Sequence, residues 1–456
     1  MARLSLCLIA RDEEELLPGC LASVAGLVDE VVVADTGSCD GTARIAQEAG
    51  ARVLQVPWRD DFSEPRNATL AAATGDFVLV LDADERLAPG SGPALRAALD
   101  RADFDCGMVW LHNAAALGLD PAEVILGAGR LGPPQRLPRV LRRTGDLRYT
   151  GVIHESVSDW LAARGMRVAL LEVNLVHFGA VPELRAARNK RDRNLGLLRR
   201  RCALEPENVT PFGYLALELA SNGELAEALE VAERGWALLP RQPADRSLLR
   251  LAIARAMGTL WAEDPVRALD SLAAAERVDG PQPDLDHLRG RALLLRALDE
   301  PSPLRDETVA AAEAAFRRAL AAADAPRHYL AGSSSWASWC GVGHALLWRG
   351  QLGPASEAFE QALAVTPDCA EARLGQAELL LCGGRPDQAL GRLERLLDSS
   401  PDGWTLAAQA AIALGAEADA RMLESEARKR TVNRFRAPHR QEMLARLRAR
   451  LGQPRT

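Results

Sequence analysis

The stretch Asp-Phe-Val-Leu-Val-Leu-Asp-Ala-Asp-Glu-Arg-Leu, residues 76–87, decides the fold of this chain. Residues 77–81 form an unbroken apolar run rich in β-branched and aromatic side chains, which is typical of a strand buried on both faces of a parallel sheet. The run ends in Asp82, Asp84 and Glu85. Because acids cannot remain inside a dry sheet, we expect them at the carboxyl end of the strand, where open α/β sheets bind ligands.

The spacing of Asp82 and Asp84 suits a hard divalent cation. Two carboxylates separated by one residue at a strand exit can hold such an ion and leave positions for water and for the oxygens of a diphosphate. Acids after a strand also occur in ordinary solvated turns, so the pattern by itself does not decide between a metal site and a turn.

The sequence around this stretch predicts a doubly wound α/β sheet. Apolar runs that read as strands alternate with amphipathic segments that read as helices, and this spacing favours parallel strands joined by right-handed crossovers. We predict strands at 4–10, 31–34, 52–56 and 77–81, and helices at 13–25, 42–49 and 65–73. The strand exits at 10–13, 35–38 and 82–84 are polar or acidic, and we expect them to converge on one edge of the sheet.

Length and composition indicate the number of domains and the general class of protein. A chain of 456 residues needs two or three domains, and its 48% apolar and 26% charged content is typical of a soluble globular protein. No apolar run approaches the roughly 18 residues of a membrane span, and the run at 4–10 is predicted to be a strand rather than a signal peptide. The eight cysteines form no Cys-x-x-Cys pair, which favours reduced thiols and a cytoplasmic location.

The C-terminal half is predicted to be a helical repeat array. Residues 335–368 and 369–402 are two consecutive 34-residue units in register, with glycine, alanine and proline at matching positions. Thirty-four residues is the tetratricopeptide period. We expect about five helix pairs that stack into a curved solenoid. Trp336, Trp339 and Trp348 fall on helical spacing, which favours positions in the core over a binding stripe. The solenoid is either a surface for packing and dimerisation or a site that binds a substrate or a partner protein.

Several N-terminal motifs together resemble family-2 glycosyltransferases of the GT-A fold. They are Cys-Leu-Ile-Ala-Arg-Asp-Glu-Glu (7–14), Val-Val-Val-Ala-Asp-Thr-Gly-Ser (31–38), Arg-Asn (66–67) and Leu-Asp-Ala-Asp-Glu (81–85). The resemblance is strongest over residues 4–90. It implies a nucleotide-diphosphate-sugar donor and Mn²⁺ or Mg²⁺. A Gly-x-Gly-x-x-Gly loop is absent after the first predicted strand, which argues against a nicotinamide dehydrogenase.

The resemblance also assigns roles to residues by motif position. It implies that the donor is contacted by Ala10, Arg11, Glu13, Asp35, Arg66, Asp82 and Ala83. The strand exit at residues 10–13 and Asp35 would contact the base and ribose of the nucleotide. Arg66 would contact the nucleotide or its phosphates, and Asp82 would contact the donor sugar or the ribose. Asp84 would bind the metal.

The acceptor side is predicted from residues 100–205. The segment Gly-Val-Ile-His-Glu, residues 151–155, is similar to one found in family-2 enzymes that carry helical repeats. A His154–Glu155 pair at a strand end can act as a general base, with Glu155 as our candidate, or it can simply cap a loop. His177 either completes the metal coordination or is an ordinary core histidine.

We therefore predict an α/β GT-A (Rossmann-like) nucleotide-sugar domain at 1–205, followed by an all-α tetratricopeptide solenoid at 206–456. The predicted function is metal-dependent inverting transfer of a sugar, with UDP as the expected nucleotide, to a peptide, protein or cell-envelope glycan. The alternative is a non-catalytic scaffold that binds nucleotide sugar and recruits partners through its repeats. A protein partner or homodimer contact is expected at the repeats, and no nucleic acid partner is expected.

Overall fold

The chain divides into two compact units, Met1–Pro206 and Glu207–Thr456. The computed structural model describes residues 2–132, 134–165, 167–179, 181, 190–241, 247–322, 329–397 and 401–429. The first unit is built on one sheet, and the described residues of the second unit are helical.

The sheet of the first unit has eight strands in the order β3-β2-β1-β4-β7-β6-β8-β5. The strands are β1 (Leu4–Ala10), β2 (Glu30–Asp35), β3 (Arg52–Gln55), β4 (Phe77–Asp82), β5 (Glu85–Leu87), β6 (Cys106–Asn113), β7 (Gln135–Arg142) and β8 (Val168–His177). Strands β1 to β4 are parallel, as predicted. Strand β7 then enters antiparallel between β4 and β6, and β5 pairs antiparallel with β8 at the far edge. The sheet is therefore mixed, and the doubly wound pattern holds only for its first half.

The helices of the first unit connect and cover these strands. They are α1 (Leu17–Ser23), α2 (Thr42–Glu48), α3 (Ser63–Ala72), α4 (Ser91–Arg101), α5 (Pro121–Leu126), α6 (Ser158–Ala163) and α7 (Lys190–Leu204). Helix α1 is shorter than the predicted 13–25, since the residues before it form a turn tied to the next loop.

The central strand is buried on both faces, as its apolar run predicted. Phe77, Leu79 and Leu81 belong to one hydrophobic cluster, whereas Val78 and Val80 belong to another on the opposite face. Alternate side chains of a strand point to opposite faces, so both faces of β4 lie in apolar surroundings.

The second unit consists of helix pairs. Its helices are α8 (Val209–Ser221), α9 (Leu225–Leu238), α10 (Ser247–Trp261), α11 (Pro265–Asp279), α12 (Pro283–Ala297), α13 (Leu304–Ala321), α14 (Trp336–Trp348), α15 (Leu352–Val365), α16 (Ala370–Cys382), α17 (Pro386–Leu393), α18 (Pro401–Ala413) and α19 (Glu417–Lys429). They make six consecutive pairs in the described part of the chain, against the five or so predicted. The turns inside two pairs contain Gly350 and Gly384 at φ of 77° and 71°, a left-handed conformation that glycine adopts without strain.

Two observations relate to the predictions made from composition. Within the described ranges, none of the helices is both long and apolar enough to cross a membrane. All eight cysteines lie in those ranges and are free thiols.

Candidate functional site

A cleft of about 850 Å³ lies at the carboxyl ends of β1 and β4. These strands are neighbours, and Ile9 pairs with Asp82 across them. The lining includes almost all of the predicted site residues: Ala10, Arg11, Glu13, Arg66, Asp82, Ala83, Asp84, His154, Glu155 and His177. The structure thus brings together residues that are up to 167 positions apart in the chain (177 − 10).

Five charged side chains form a continuous chain of ion pairs that leads into the cleft. Arg139 Nη2 donates to Glu85 and to Asp82 Oδ2, the latter at 3.1 Å. Arg66 Nη2 donates to Asp82 Oδ1 at 2.7 Å, and its Nε donates to Glu155 Oε1 at 2.5 Å. The signs alternate, so each ionised group in this shielded place has a hydrogen-bonded partner of opposite charge.

The two acids beside Arg139 differ in their pKa. Burial alone would raise the pKa of Asp82, but the guanidinium groups of Arg66 and Arg139 outweigh burial and hold it well below its usual value. Burial raises the pKa of Glu85 to about 7, with the nearby Asp82 charge adding to the rise and Arg139 opposing it. Asp82 is therefore the ionised acid that faces the cleft. Glu85 Oε2 accepts a hydrogen bond from the backbone N–H of Asp82 at 3.1 Å and so helps to fix the position of this residue.

Asp84 and His177 form a second, smaller group in the cleft. His177 Nε2 lies 3.6 Å from Asp84 Oδ1, and His177 Nδ1 lies 2.8 Å from Asn113 Oδ1. Since the Asn113 oxygen can only accept, Nδ1 carries a proton. Burial lowers the pKa of His177, but the hydrogen bond and charge of Asp84 outweigh burial and raise it, so the Nε2 position facing Asp84 favours a positive charge, either a proton or a bound cation. The pairing arises because β5 and β8 are antiparallel, with Glu85 opposite His177.

These two side chains fit a divalent cation. A carboxylate oxygen and an imidazole nitrogen oriented by a second hydrogen bond are common metal ligands. Among the residues that the structure describes, no group of three or more His, Cys, Asp or Glu side chains has the geometry to hold a metal. An ion held by Asp84 and His177 would therefore take its remaining ligands from water and from a bound phosphate, which is how Mg²⁺ is usually held at phosphate-binding sites.

The candidate base lies on a loop, whereas the sequence pattern placed it at a strand end. Residues 151–154 are bends and Glu155 has no regular secondary structure, and an isolated bridge between Thr150 and Ser156 flanks them. Arg201 of α7 holds this loop by donating to the carbonyl oxygens of Ile153 and His154, at 2.6 and 3.1 Å. His154 has a left-handed φ of 49°, which is an uncommon conformation for a non-glycine residue.

Asp35 is the predicted donor residue that does not line the cleft, although its neighbour Thr36 does. The Asp35 carboxylate accepts from the Ser38 hydroxyl at 2.6 Å and from Gln55 Nε2 at 3.1 Å. Burial raises its pKa, but these hydrogen bonds and those from the backbone N–H groups of residues 37 and 38 outweigh burial and lower it. In this structure Asp35 thus shapes the loop after β2, and its contact with a donor stays a prediction.

The structure adds residues that motif reasoning missed. Arg139 lies in β7, and nothing in the local sequence indicated that its side chain would reach Asp82. Trp58 and Phe62 pack edge to face at 4.8 Å between ring centroids, and with Tyr149 they give the cleft an aromatic wall. Strand β7 contains Arg136, Arg139 and Arg142, so its sequence did not single out Arg139.

An α/β domain with a charged cleft at the carboxyl ends of its strands, followed by helical repeats, defines the structural class of this protein, and comparison with known proteins identifies its family. The model for glycosyl transferase family 2 matches residues 5–154, and a tetratricopeptide-repeat model matches residues 346–415. A tetratricopeptide-repeat-containing protein of Synechococcus elongatus is 36% identical over 292 residues, covering 60% of this chain and 69% of that protein.

Two more similarities are weaker. The prophage-derived glycosyltransferase SunS of Bacillus subtilis is 23% identical over 232 residues, which is 50% of this chain and 51% of SunS. The crystal structure of S. aureus TarS 1-349 in complex with UDP-GlcNAc is 16% identical, with a TM-score of 0.33, over 72% of this chain and 93% of that one. The chain thus spans about two thirds of the Synechococcus protein and about half of SunS.

The chain belongs to glycosyltransferase family 2 and carries tetratricopeptide repeats in its C-terminal half. The predicted fold class, the family and the enzyme class are confirmed. The roles of the individual site residues stay predictions, and the donor and acceptor are taken up below.

Proposed function

We propose that this protein is a metal-dependent, inverting glycosyltransferase that moves a sugar from a UDP-sugar to a peptide, protein or cell-envelope glycan. The observation that carries the proposal is the convergence of Asp82, Asp84, His177 and Glu155 on one cleft at the carboxyl ends of β1 and β4. The free thiols agree with a cytoplasmic location, which is part of the same proposal.

The donor's diphosphate would lie between two sources of positive charge. Asp84 and His177 would hold Mn²⁺ or Mg²⁺, which supplies electrostatic stabilisation of the charge that develops on the leaving diphosphate. Arg66 and Arg139 lie on the other side of Asp82 and are buried with their charges fixed in place. Preorganised charges of this kind stabilise a transition state without having to reorganise during the reaction.

Glu155 is the proposed general base. In a single displacement the acceptor atom attacks the anomeric carbon, the bond to the diphosphate breaks, and the acceptor's proton passes to a carboxylate. Glu155 is held by Arg66 Nε in the unliganded protein. This ion pair holds the Glu155 carboxylate at the cleft, where it would accept the proton.

A donor panel tests the proposal. Thermal shift and hydrolysis of UDP-, GDP- and dTDP-sugars with Mn²⁺ or Mg²⁺ would be compared in the wild type, in Asp84→Asn and in a matched surface variant, Asp100→Asn, on helix α4. We expect one UDP-sugar to stabilise the protein and to be hydrolysed slowly in the wild type and in Asp100→Asn, and both effects to be lost in Asp84→Asn. No metal-dependent response to any donor would favour the scaffold alternative.

Substitution of Glu155 tests the base separately. In Glu155→Gln we expect donor binding by thermal shift to persist, while turnover falls by about 10²-fold or more, in the range that general-base catalysis contributes. Wild-type turnover in this variant would remove Glu155 from the mechanism without affecting the donor assignment.

A further inference from the structure

The repeat unit contains a cavity of about 510 Å³ that the proposed reaction does not use. Its size lies within the roughly 300–1,000 Å³ range of ligand pockets. The first helix of each of the six pairs contributes to its lining: Ser221 of α8, Met257 of α10, His287 and Arg291 of α12, Trp336 and His344 of α14, Glu371 of α16 and Asp402 of α18. The first helices therefore form most of the lining, which we call the first-helix face, and Phe316 of α13 and residues 329–331 complete it.

One wall of the cavity is anchored to the helices. Tyr329 and Leu330, which line the wall, donate their backbone N–H groups to the buried carboxylate of Asp284 at 2.7 and 3.2 Å. The hydroxyl of Ser333 donates to the same carboxylate at 2.6 Å. Because three donors converge on one buried acid, the wall is built before any ligand arrives.

His287 offers the cavity a hydrogen-bond acceptor. The Ser338 hydroxyl donates to the Ser333 carbonyl oxygen at 2.5 Å, so towards His287 Nδ1, at 3.0 Å, it acts as acceptor. Nδ1 therefore carries the proton and Nε2 carries a lone pair. Burial lowers the pKa of His287 to about 3, with Arg291 contributing, so the ring is neutral. The side chain is nine-tenths buried, and the described residues offer Nε2 no hydrogen-bond partner.

The charges around His287 point to the same kind of ligand. Glu371 and Asp402 line the cavity, and Glu371 Oε1 lies 2.8 Å from His344 Nε2. The fully buried Glu378 lies on the other side of the same ring, with 3.9 Å between Glu378 Oε2 and His344 Nδ1. Arg291 is the one lysine or arginine in the described lining, so acids outnumber it. The ring of Trp336 adds an aromatic surface on which an aliphatic stem or a cation can lie.

We propose that this cavity binds the ammonium or guanidinium group of a lysine or arginine side chain presented by a peptide segment that lies along the first-helix face. Such a group brings hydrogen-bond donors and positive charge, which match the His287 acceptor and the two acids. The first helices of all six pairs contribute to the lining, so the flanking peptide would contact more than one repeat. The site goes beyond the proposed transfer reaction, and it does not depend on it.

Calorimetric titration of the full chain with capped pentapeptides tests the proposal. The probes are acetyl-Gly-Ser-Xaa-Ser-Gly-amide, in which Xaa is arginine, lysine, citrulline or norleucine. We expect the arginine or lysine peptide to bind roughly tenfold or more tightly than its neutral counterpart, since a charge-assisted hydrogen bond contributes more than a neutral one. The preference should weaken as the salt concentration rises.

Variants locate the binding to the cavity. Glu371→Gln, at a partly exposed position, should reduce the preference for the charged peptides, and Asp402→Asn provides a second variant should the first fail to fold. Glu360→Gln, on the exposed face of α15, is the matched control and should bind as the wild type does. Three results would overturn the proposal: equal binding of charged and neutral peptides, a preference unchanged in both cavity variants, or binding of free putrescine as tight as that of the lysine peptide.

Discussion

Replacement of Gly179 by alanine tests whether Asp84 and His177 work as a pair. A Cβ atom at position 179 would lie 2.0 Å from Asp84 Oδ2 and 2.7 Å from His177 Nε2. Gly179 does not have a left-handed φ, so its backbone accepts alanine and the close approach is the only obstacle. The substitution therefore acts on the two side chains without altering either of them chemically.

The size of the effect follows from these distances. Cβ atoms essentially never come closer than 3.0 Å to other atoms, so the carboxylate must retreat from 2.0 to at least 3.0 Å. A displacement of about 1 Å in a catalytic group costs about 10²-fold in rate, which corresponds to roughly 2.7 kcal/mol in the activation barrier. Overpacking would also cost about 1–3 kcal/mol of folding stability.

The assay is donor hydrolysis as a function of Mn²⁺ concentration, with thermal unfolding measured in parallel. We expect Gly179→Ala to reduce the rate at saturating Mn²⁺ by about 10²-fold and to require more Mn²⁺. Gly196→Ala is the matched control, because a Cβ there meets open space and alanine favours the helix. A fully folded Gly179→Ala protein with wild-type rate and Mn²⁺ dependence would refute the assignment of this pair to the metal.

Three further predictions concern the ion pairs and the repeats. Arg139→Met should destabilise the first unit by about 1–3 kcal/mol in urea unfolding, because Asp82 loses one of its two cations and Glu85, whose pKa is about 7, loses its hydrogen-bonded partner and takes up a proton. Asp105→Asn should destabilise strand β6 at neutral pH but not in acid. Arginine partners lower the pKa of Asp105 in the folded protein, so its ionised carboxylate stabilises the fold above the unfolded-state pKa of about 3.9, and this stabilisation disappears as the pH falls through the folded-state pKa. Hydrogen exchange of the β6 amides would measure the effect. Gly375→Ala should destabilise the repeats by about 1–3 kcal/mol in thermal unfolding, since its Cβ would lie 2.3 Å from the ring of Phe359.

Each of these predictions has a control within the chain. In Glu85→Gln/Arg139→Met the buried acid is removed together with its cation, so part of the lost stability should return, while the loss of the Arg139–Asp82 pair remains. No recovery at all would contradict the ion-pair explanation. Asp100→Asn, on an exposed helix position, should show no difference from the wild type between pH 2 and 6. Gly391→Ala places a Cβ in open space and should not destabilise the repeats; equal effects of Gly375→Ala and Gly391→Ala would contradict the packing argument.

The local sequence was sufficient for the parts of the fold that depend on short-range patterns. The apolar run that ends in Asp82 predicted a strand buried on both faces, and β4 is one. The 34-residue register predicted the helix pairs around Gly350 and Gly384. It did not predict the antiparallel insertion of β7 beside β4, because a strand's apolar pattern looks the same in either direction.

The sequence by itself determined where the candidate site lies: charged residues cannot stay in a dry strand, so the acids after β4 had to emerge at the carboxyl edge of the sheet. Only the tertiary structure decided which groups meet there. Arg139 reaches Asp82 because β7 pairs with β4, and His177 faces Asp84 because β8 pairs with β5. These partners are 57 and 93 residues apart (139 − 82 and 177 − 84). Strand register over such separations is set by the combined packing of the whole sheet, which no single motif contains.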